Sequence, residues 1–407
     1  MGMERAGVTF ASLMGLGPQA AVATAELAEE VGYTSYWTAE TTGPEAFSLL
    51  TAAGAAAPSL DLGTGVLALQ LRTPMVVAMG GATLQALHPD QDILLGIGIS
   101  SPVVATRWHG MPYSEQPLGQ VREYVTLLRA CLSGEKVDFA GDHYQVKGFR
   151  LGVRLGERKP KIVVGALNPT MLALGGELAD GVLLNYLPAS HVPWSVEQVR
   201  KGGNADIYAY VHAGICERAE GIELAQRDLF SYAVVDSYAR NFERAGFGDE
   251  VAAIREAHAA GDREAAVAAV SDRMVDAIDV MGDAEIYAYV HAGICEREEG
   301  IELARRDLFS YAVVDSYARN FERAGFEDEV AAVREAHAAG DRAGAVAAVS
   351  DRMVDAIDVM GDADVVHATM RAYVDAGVEV PVLMPLPWGR DRRASADATI
   401  RAAIGKG

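Results

Sequence analysis

Short apolar runs alternate with amphipathic stretches along most of this chain, and that alternation sets the fold class. Runs at 7–13, 34–38, 60–69, 92–100, 161–167, 181–187, 207–215 and 378–386 predict strands. Between them, 19–31, 74–87, 118–132 and 169–178 carry apolar residues at helical spacing. Continuous apolar strands separated by helices mean parallel pairing with both faces covered. Residues 138–146 (DFAGDHYQV) read instead as a small hairpin with a Gly-Asp turn.

The pattern then repeats itself. Residues 205–283 align without a gap on 284–362, and the two 79-residue blocks differ at seven positions. Each block opens on the strand phrase IYAYVHAGI and continues with helical stretches, in the first copy at 222–245, 250–259 and 263–280. Gly246, Gly261 and Gly282 stand where those helices should stop, and Ser271 is a candidate N-cap. Solenoid repeats diverge further and need three or more units, so this is a duplication inside an existing fold. Counting one copy leaves 328 residues and eight strand–helix units. That predicts an α/β fold, a (β/α)8 TIM barrel with an appended helical lobe from the surplus copy. An open doubly wound sheet is the alternative, but no GxGxxG opens the first βα turn. The expected division is 1–204 for barrel strands one to six and 205–283 for strand seven with its helices. Block 284–362 is then surplus, and 363–407 holds the last helix, the last strand and the C-terminus.

Composition changes this picture little. Half the residues are apolar, enough for one large core or two moderate ones. The net charge of −21 sits mainly in the repeat: 16 acids against 7 arginines in the first copy, 17 against 8 in the second. Acidity so placed belongs to solvated helix faces and disfavours nucleic acid. Cys216 and Cys295 are one position written twice and Cys131 stands alone, so neither a metal spacing nor a disulfide framework results. The sequence also has no apolar stretch long enough for a membrane span, so a cytoplasmic protein is expected.

Barrel active sites form at the C-terminal ends of the strands. Those ends carry Glu40, then Gly65 and Val66, then Ser100 and Ser101, then the turn Gly165, Ala166, Asn168, Pro169, Thr170, and finally Asn185. Asn168 as N-cap with Pro169 at the first helical position starts a helix directly after a strand. Free N–H groups, the positive dipole end and the Thr170 hydroxyl would receive a phosphate there; the other reading is an ordinary cap, which every helix wants.

Several stretches carry a resemblance: LGTGVLALQLRTP (62–74), ILLGIGIS (93–100), WHGMPY (108–113), the segment 122–146 and ELADGVLLNYL (177–187). Together they resemble the bacterial luciferase-like monooxygenase superfamily, and within it the branch using coenzyme F420, a deazaflavin. The resemblance implies the same barrel, with FMN as the alternative cofactor. It implies that Gly65–Val66 forms a bulge behind the ring, commonly through a cis peptide. It also implies that Glu40 meets a polar edge of the cofactor, while Ser100, Ser101 and the 165–170 turn hold the phosphate-bearing tail. A carboxylate serving a nearby helix end is the other reading of Glu40. Sugar-phosphate dehydrogenases of this branch place His after the acidic residue and Glu where Ser101 stands; here Thr41 and Ser101 break that acid/base pair. His109 is then the nearest catalytic acid, against the reading of a histidine packed beside Trp108. His212 and His291 are one position in two copies, so at most one occupies the site. Trp108 and Trp388 either line a substrate pocket or pack.

The expected function is hydride transfer between F420 and a small organic substrate. An FMN monooxygenase and a barrel that has lost catalysis are the alternatives. No metal, nucleic acid or membrane is implicated. A homodimer is expected, with the surplus segment available for swapping between subunits.

Overall fold

The computed structural model describes residues 5–216, 218–283, 309, 313, 326–350, 367, 370–371, 374–375, 377–378, 380–385 and 392–405. In chain order these begin with β1 (Gly7–Thr9), α1 (Pro18–Val31), β2 (Ser35–Thr38), α2 (Ala46–Ala56) and β3 (Asp61–Thr64). Next come the short β4 (Leu67–Ala68), α3 (Pro74–Leu87), β5 (Ile93–Gly98) and α4 (Pro117–Leu132). An antiparallel hairpin of β6 (Val137–Ala140) and β7 (Gln145–Phe149) stands apart from the sheet. The chain then returns as β8 (Lys161–Gly165), α5 (Pro169–Leu178), β9 (Gly181–Leu184), α6 (Val192–Arg200) and β10 (Asp206–Cys216). Helices α7 (Arg218–Ala233), α8 (Asp236–Phe242), α9 (Gly248–Ala259), α10 (Arg263–Ala268) and α11 (Asp272–Ile278) lead to β11 (Asp279–Asp283). Finally β12 (Val380–Pro385) precedes a helix at Arg392–Ala402.

Eight of these strands close a circuit in the order β1, β2, β3, β5, β8, β9, β10, β12 and back to β1. Every pairing in it is parallel, as in a TIM barrel. Its lumen is filled by Trp37, Leu94, Val163, Leu183, Tyr208, Tyr210, Val380 and Val382. Alternate residues of one strand therefore serve one face: Tyr208 and Tyr210 point inward together. Strand β11 bonds to β10 outside the closed circuit.

Several elements differ from the pattern. The first strand ends at Thr9, where Phe10 N–H bonds Trp37 O at 2.8 Å and a 3₁₀ turn, Ala11–Leu16, begins. The run 60–69 is two strands, because the chain breaks step at a cis peptide between Gly65 and Val66. The stretch 263–280 is two helices and a strand: Ser271 accepts from Met274 N–H and so starts a new helix. Helix α2 left little trace because AFSLLTAAGAA is apolar or small all round; Glu45 caps it by accepting from Phe47 and Ser48 N–H.

Two compact units result, Met1–Gly282 with Ala363–Gly407, and Asp283–Asp362. In the first, Phe230, Phe247, Ile254, Ala266 and Val270 belong to one buried cluster. In the second, their counterparts Phe309, Phe326, Val333, Ala345 and Val349 form another. Asp262 and Asp341 cap equivalent helices, and Ser271 and Ser350 both donate to a glutamate at 2.8 Å. The same letters thus make the same small helical core twice. The second strand phrase, with His291 and Cys295, and also Trp388, lie outside the described residues.

Candidate active site

The bulge at Gly65–Val66 is framed by glycine and one tyrosine. Tyr210 Oη donates to Gly65 O at 2.7 Å, and a Cβ on Gly65 would lie 1.8 Å from that oxygen, so only glycine fits. The Val66 side chain lies beside Gly98 of β5 and Gly165 of β8, where added Cβ atoms would come within 3.0 and 3.2 Å of it. Three neighbouring strands thus give up side chains around one stretch of backbone at the barrel mouth. Tyr210, which sequence reasoning passed over, is what holds it.

Beside the bulge, Glu40 is paired to Arg72. The guanidinium donates through Nε to Oε2 at 2.7 Å and through Nη2 to Oε1 at 2.6 Å, and it also reaches Glu45. Ala46 N–H, at the start of α2, approaches Glu40 Oε1 at 3.4 Å, so the carboxylate does serve a helix end. The hydrogen bond to Glu40 raises the Arg72 pKa above its usual value, against the opposing effect of burial. Glu40 therefore meets any ligand as half of a neutralised pair. His109 is exposed, and its Nε2 lies 2.6 Å from Thr41 O. A carbonyl only accepts, so Nε2 carries the hydrogen. That bond ties the segment after β5 to the end of β2.

Ser100 N–H approaches Gln70 Oε1 at 3.4 Å, and the buried Gln70 Nε2 has no partner. Ser101 Oγ accepts from Val104 N–H at 3.3 Å, which starts the turn that follows. In the next turn, Ala166 is buried and Thr170 exposed. Asn168 sits at the N-cap position of α5, but its side chain caps nothing, which corrects the capping role expected of it. Its Oδ1 instead accepts from Arg244 Nη2 at 2.7 Å; the same nitrogen reaches Leu167 O at 3.2 Å. Arg244 lies over the Trp194 ring, and the His191 ring stacks on Trp194 at 4.7 Å. Burial, with repulsion from Arg240, lowers the Arg244 pKa; burial and then Arg244 lower that of His191. An uncapped helix start with a guanidinium beside it is an anion cradle.

On the next two strands, β9 and β10, lies a buried polar cluster. Asn185 Oδ1 accepts from Tyr186 N–H at 3.0 Å and lies 2.8 Å from His212 Nε2. His212 faces inward two residues beyond Tyr210, against the Tyr186 ring at 4.0 Å. Its Nδ1 lies 3.9 Å from Asp279 Oδ1, and both side chains are 1% exposed. Burial pushes His212 down to about 3, while burial first and Asp228 second push Asp279 well above the carboxylate range. Tyr186 has φ of +49° and donates to Asp228 at 2.8 Å.

The structure thus gathers Glu40, Gly65, Val66, Ser100, Ser101 and the 165–170 turn on the strand ends of one mouth. Arg72, Arg244, Tyr210, His191 and Asp279 were missed; an arginine in an acidic repeat reads as solvated surface.

Residues 6–301 match the luciferase-like monooxygenase family. The chain belongs to that family. It is 30% identical over 270 residues to the 5,10-methylenetetrahydromethanopterin reductase of Methanolobus tindarius, covering 63% of this chain and 81% of that one. A Mycobacterium tuberculosis protein described as a coenzyme F420-dependent oxidoreductase is 27% identical over 369 residues, 88% of each chain. The coenzyme F420-dependent tetrahydromethanopterin reductase of Methanopyrus kandleri has the same fold, with a TM-score of 0.58 at 18% identity over 98% of this chain and 97% of that one. The protein is accordingly an enzyme of the luciferase-like family, built on that family's barrel.

Proposed function

We propose that the protein is a coenzyme F420-dependent oxidoreductase that moves a hydride between the cofactor and a small organic substrate. The observation that carries this is the pairing of a glycine-framed bulge with an anion cradle beside it at the same mouth. The Mycobacterium tuberculosis relative described as F420-dependent supports it. FMN is the alternative, since the family's own name is that of a monooxygenase and both ring systems are flat with an anionic tail.

Bound, the deazaflavin supplies a ring carbon that gives or accepts hydride. The chain supplies the rest. Gly65 and Val66 back one ring face, Glu40 with Arg72 meets a polar ring edge, and Ser100 and Ser101 line the way outward. The α5 N–H groups of the 165–170 turn and the Arg244 guanidinium hold the tail's phosphate. His109 moves the proton: with Nε2–H committed to Thr41 O, Nδ1 is the nitrogen left to exchange it. The exposed α3 residues Val76, Met79 and Leu87 support a homodimer.

Fluorescence titration tests the reading. F420 should bind more tightly than FMN, and Arg244→Met should weaken F420 at least tenfold while leaving a tail-less deazaflavin unchanged. Equal loss for both ligands, or tighter binding of FMN, overturns the assignment.

A further inference from the structure

Val103, Trp108, Met111, Tyr113 and Leu118 stand exposed within one 16-residue stretch after β5, at the mouth of the barrel. Trp108 is 55% exposed and Tyr113 40%. Exposure here does not come from a loose loop. Residues 103–108 wind as a π-helical turn, closed by bonds from His109, Gly110 and Met111 N–H to Val104, Thr106 and Ala105 O at 3.2, 3.0 and 2.8 Å. The His109–Thr41 bond then fastens the segment beside Glu40 and the bulge. π-Turns concentrate at functional sites, and a patch of exposed apolar side chains marks a binding surface. Arg107 and Glu115 cancel within 101–118, in a chain of net −21. A platform next to the redox mouth is thus apolar and electrically neutral, whereas the anion cradle follows the neighbouring strand, β8, at the start of α5.

We infer that residues 103–118 form the substrate wall and that the substrate is a bulky, uncharged, largely hydrocarbon molecule seated on Trp108 and Met111. This rests on the oxidoreductase reading for its redox half only; the apolar site stands or falls separately.

The test uses the full chain and the neutral fluorescent probe N-phenyl-1-naphthylamine, with and without F420. Wild type should bind one probe per chain and shield Trp108 from acrylamide quenching. Trp108→Ser and Met111→Ser should each weaken the probe about tenfold, as expected for losing a large apolar contact, and Met79→Ser on α3 should not. F420 affinity should be unchanged in Trp108→Ser. Probe binding that follows Met79, or that ignores Trp108, overturns the proposal. So does a change in sedimentation of Trp108→Ser, because the face would then be a contact between copies. Probe binding as described with no F420 binding to wild type would leave the apolar site standing and remove the deazaflavin reading.

Discussion

Asp279→Asn is the sharpest probe of the buried pair beside Asn185. Both partners are held neutral in the folded protein. His212 is depressed from 6.5 to about 3 by burial, so its contribution is present above pH 6.5 and is lost as pH falls toward 3. Asp279 is raised, so its contribution is complete below 3.8 and is lost as pH rises through the folded value. Between roughly pH 4 and 6.5, unfolding adds a proton to one and removes a proton from the other, and the two slopes oppose. Removing the carboxyl uncovers the histidine. At 1.36 kcal/mol per pH unit below 6.5, Asp279→Asn should lose roughly 2 kcal/mol between pH 7.5 and 5.0. The same variant with His212→Gln added should not lose it, and wild type should lose less than the single variant. Urea unfolding at the two pH values, followed through buried Trp37 in the barrel lumen, reads these differences. Identical pH dependence in the single and double variants would refute the reasoning, because burial of His212 would then carry no proton linkage. At pH 7.5 the single variant should also be more stable than wild type, having no carboxyl to keep protonated away from water.

Other outcomes follow from single contacts. Gly65→Ala, whose Cβ would overlap Tyr210 Oη, should destabilise by about 3 kcal/mol, and adding Tyr210→Phe should recover part of that in thermal melts. Arg72→Ala leaves Glu40 and Glu45 facing each other unpaired and should cost about 2–3 kcal/mol. Arg122→Ala, at a half-exposed pair with Glu177, should cost under about 1 kcal/mol by the same denaturation assay. Deleting 284–362 should leave a 328-residue protein that folds and binds cofactor as the full chain does. Loss of either would make the second copy part of the working architecture.

Local pattern was enough for much of this molecule. Apolar runs of strand length between amphipathic helices admit few arrangements, and a closed parallel barrel is the one that covers every strand on both faces. The helical core of the repeat is the clearest case: Phe230 with Ile254 and Phe309 with Val333 pack alike in two compact units, because their spacing along helices already determines which faces meet. The bulge at Gly65–Val66 was expected only through the family resemblance that 62–74 carries; a glycine at a strand end does not by itself give it. The polar pairings were not. Arg244 reaches Asn168 across 76 residues, Arg72 reaches Glu40 across 32, and Asp279 comes up to His212 from a strand that read as helix. Each pairing depends on where two distant backbones lie to within an ångström, and charge patterning holds no such distances. Asn168 shows the limit most plainly. Its position at the N-cap of α5 is local, but a cap and an arginine compete for one oxygen, and tertiary structure decided for the arginine.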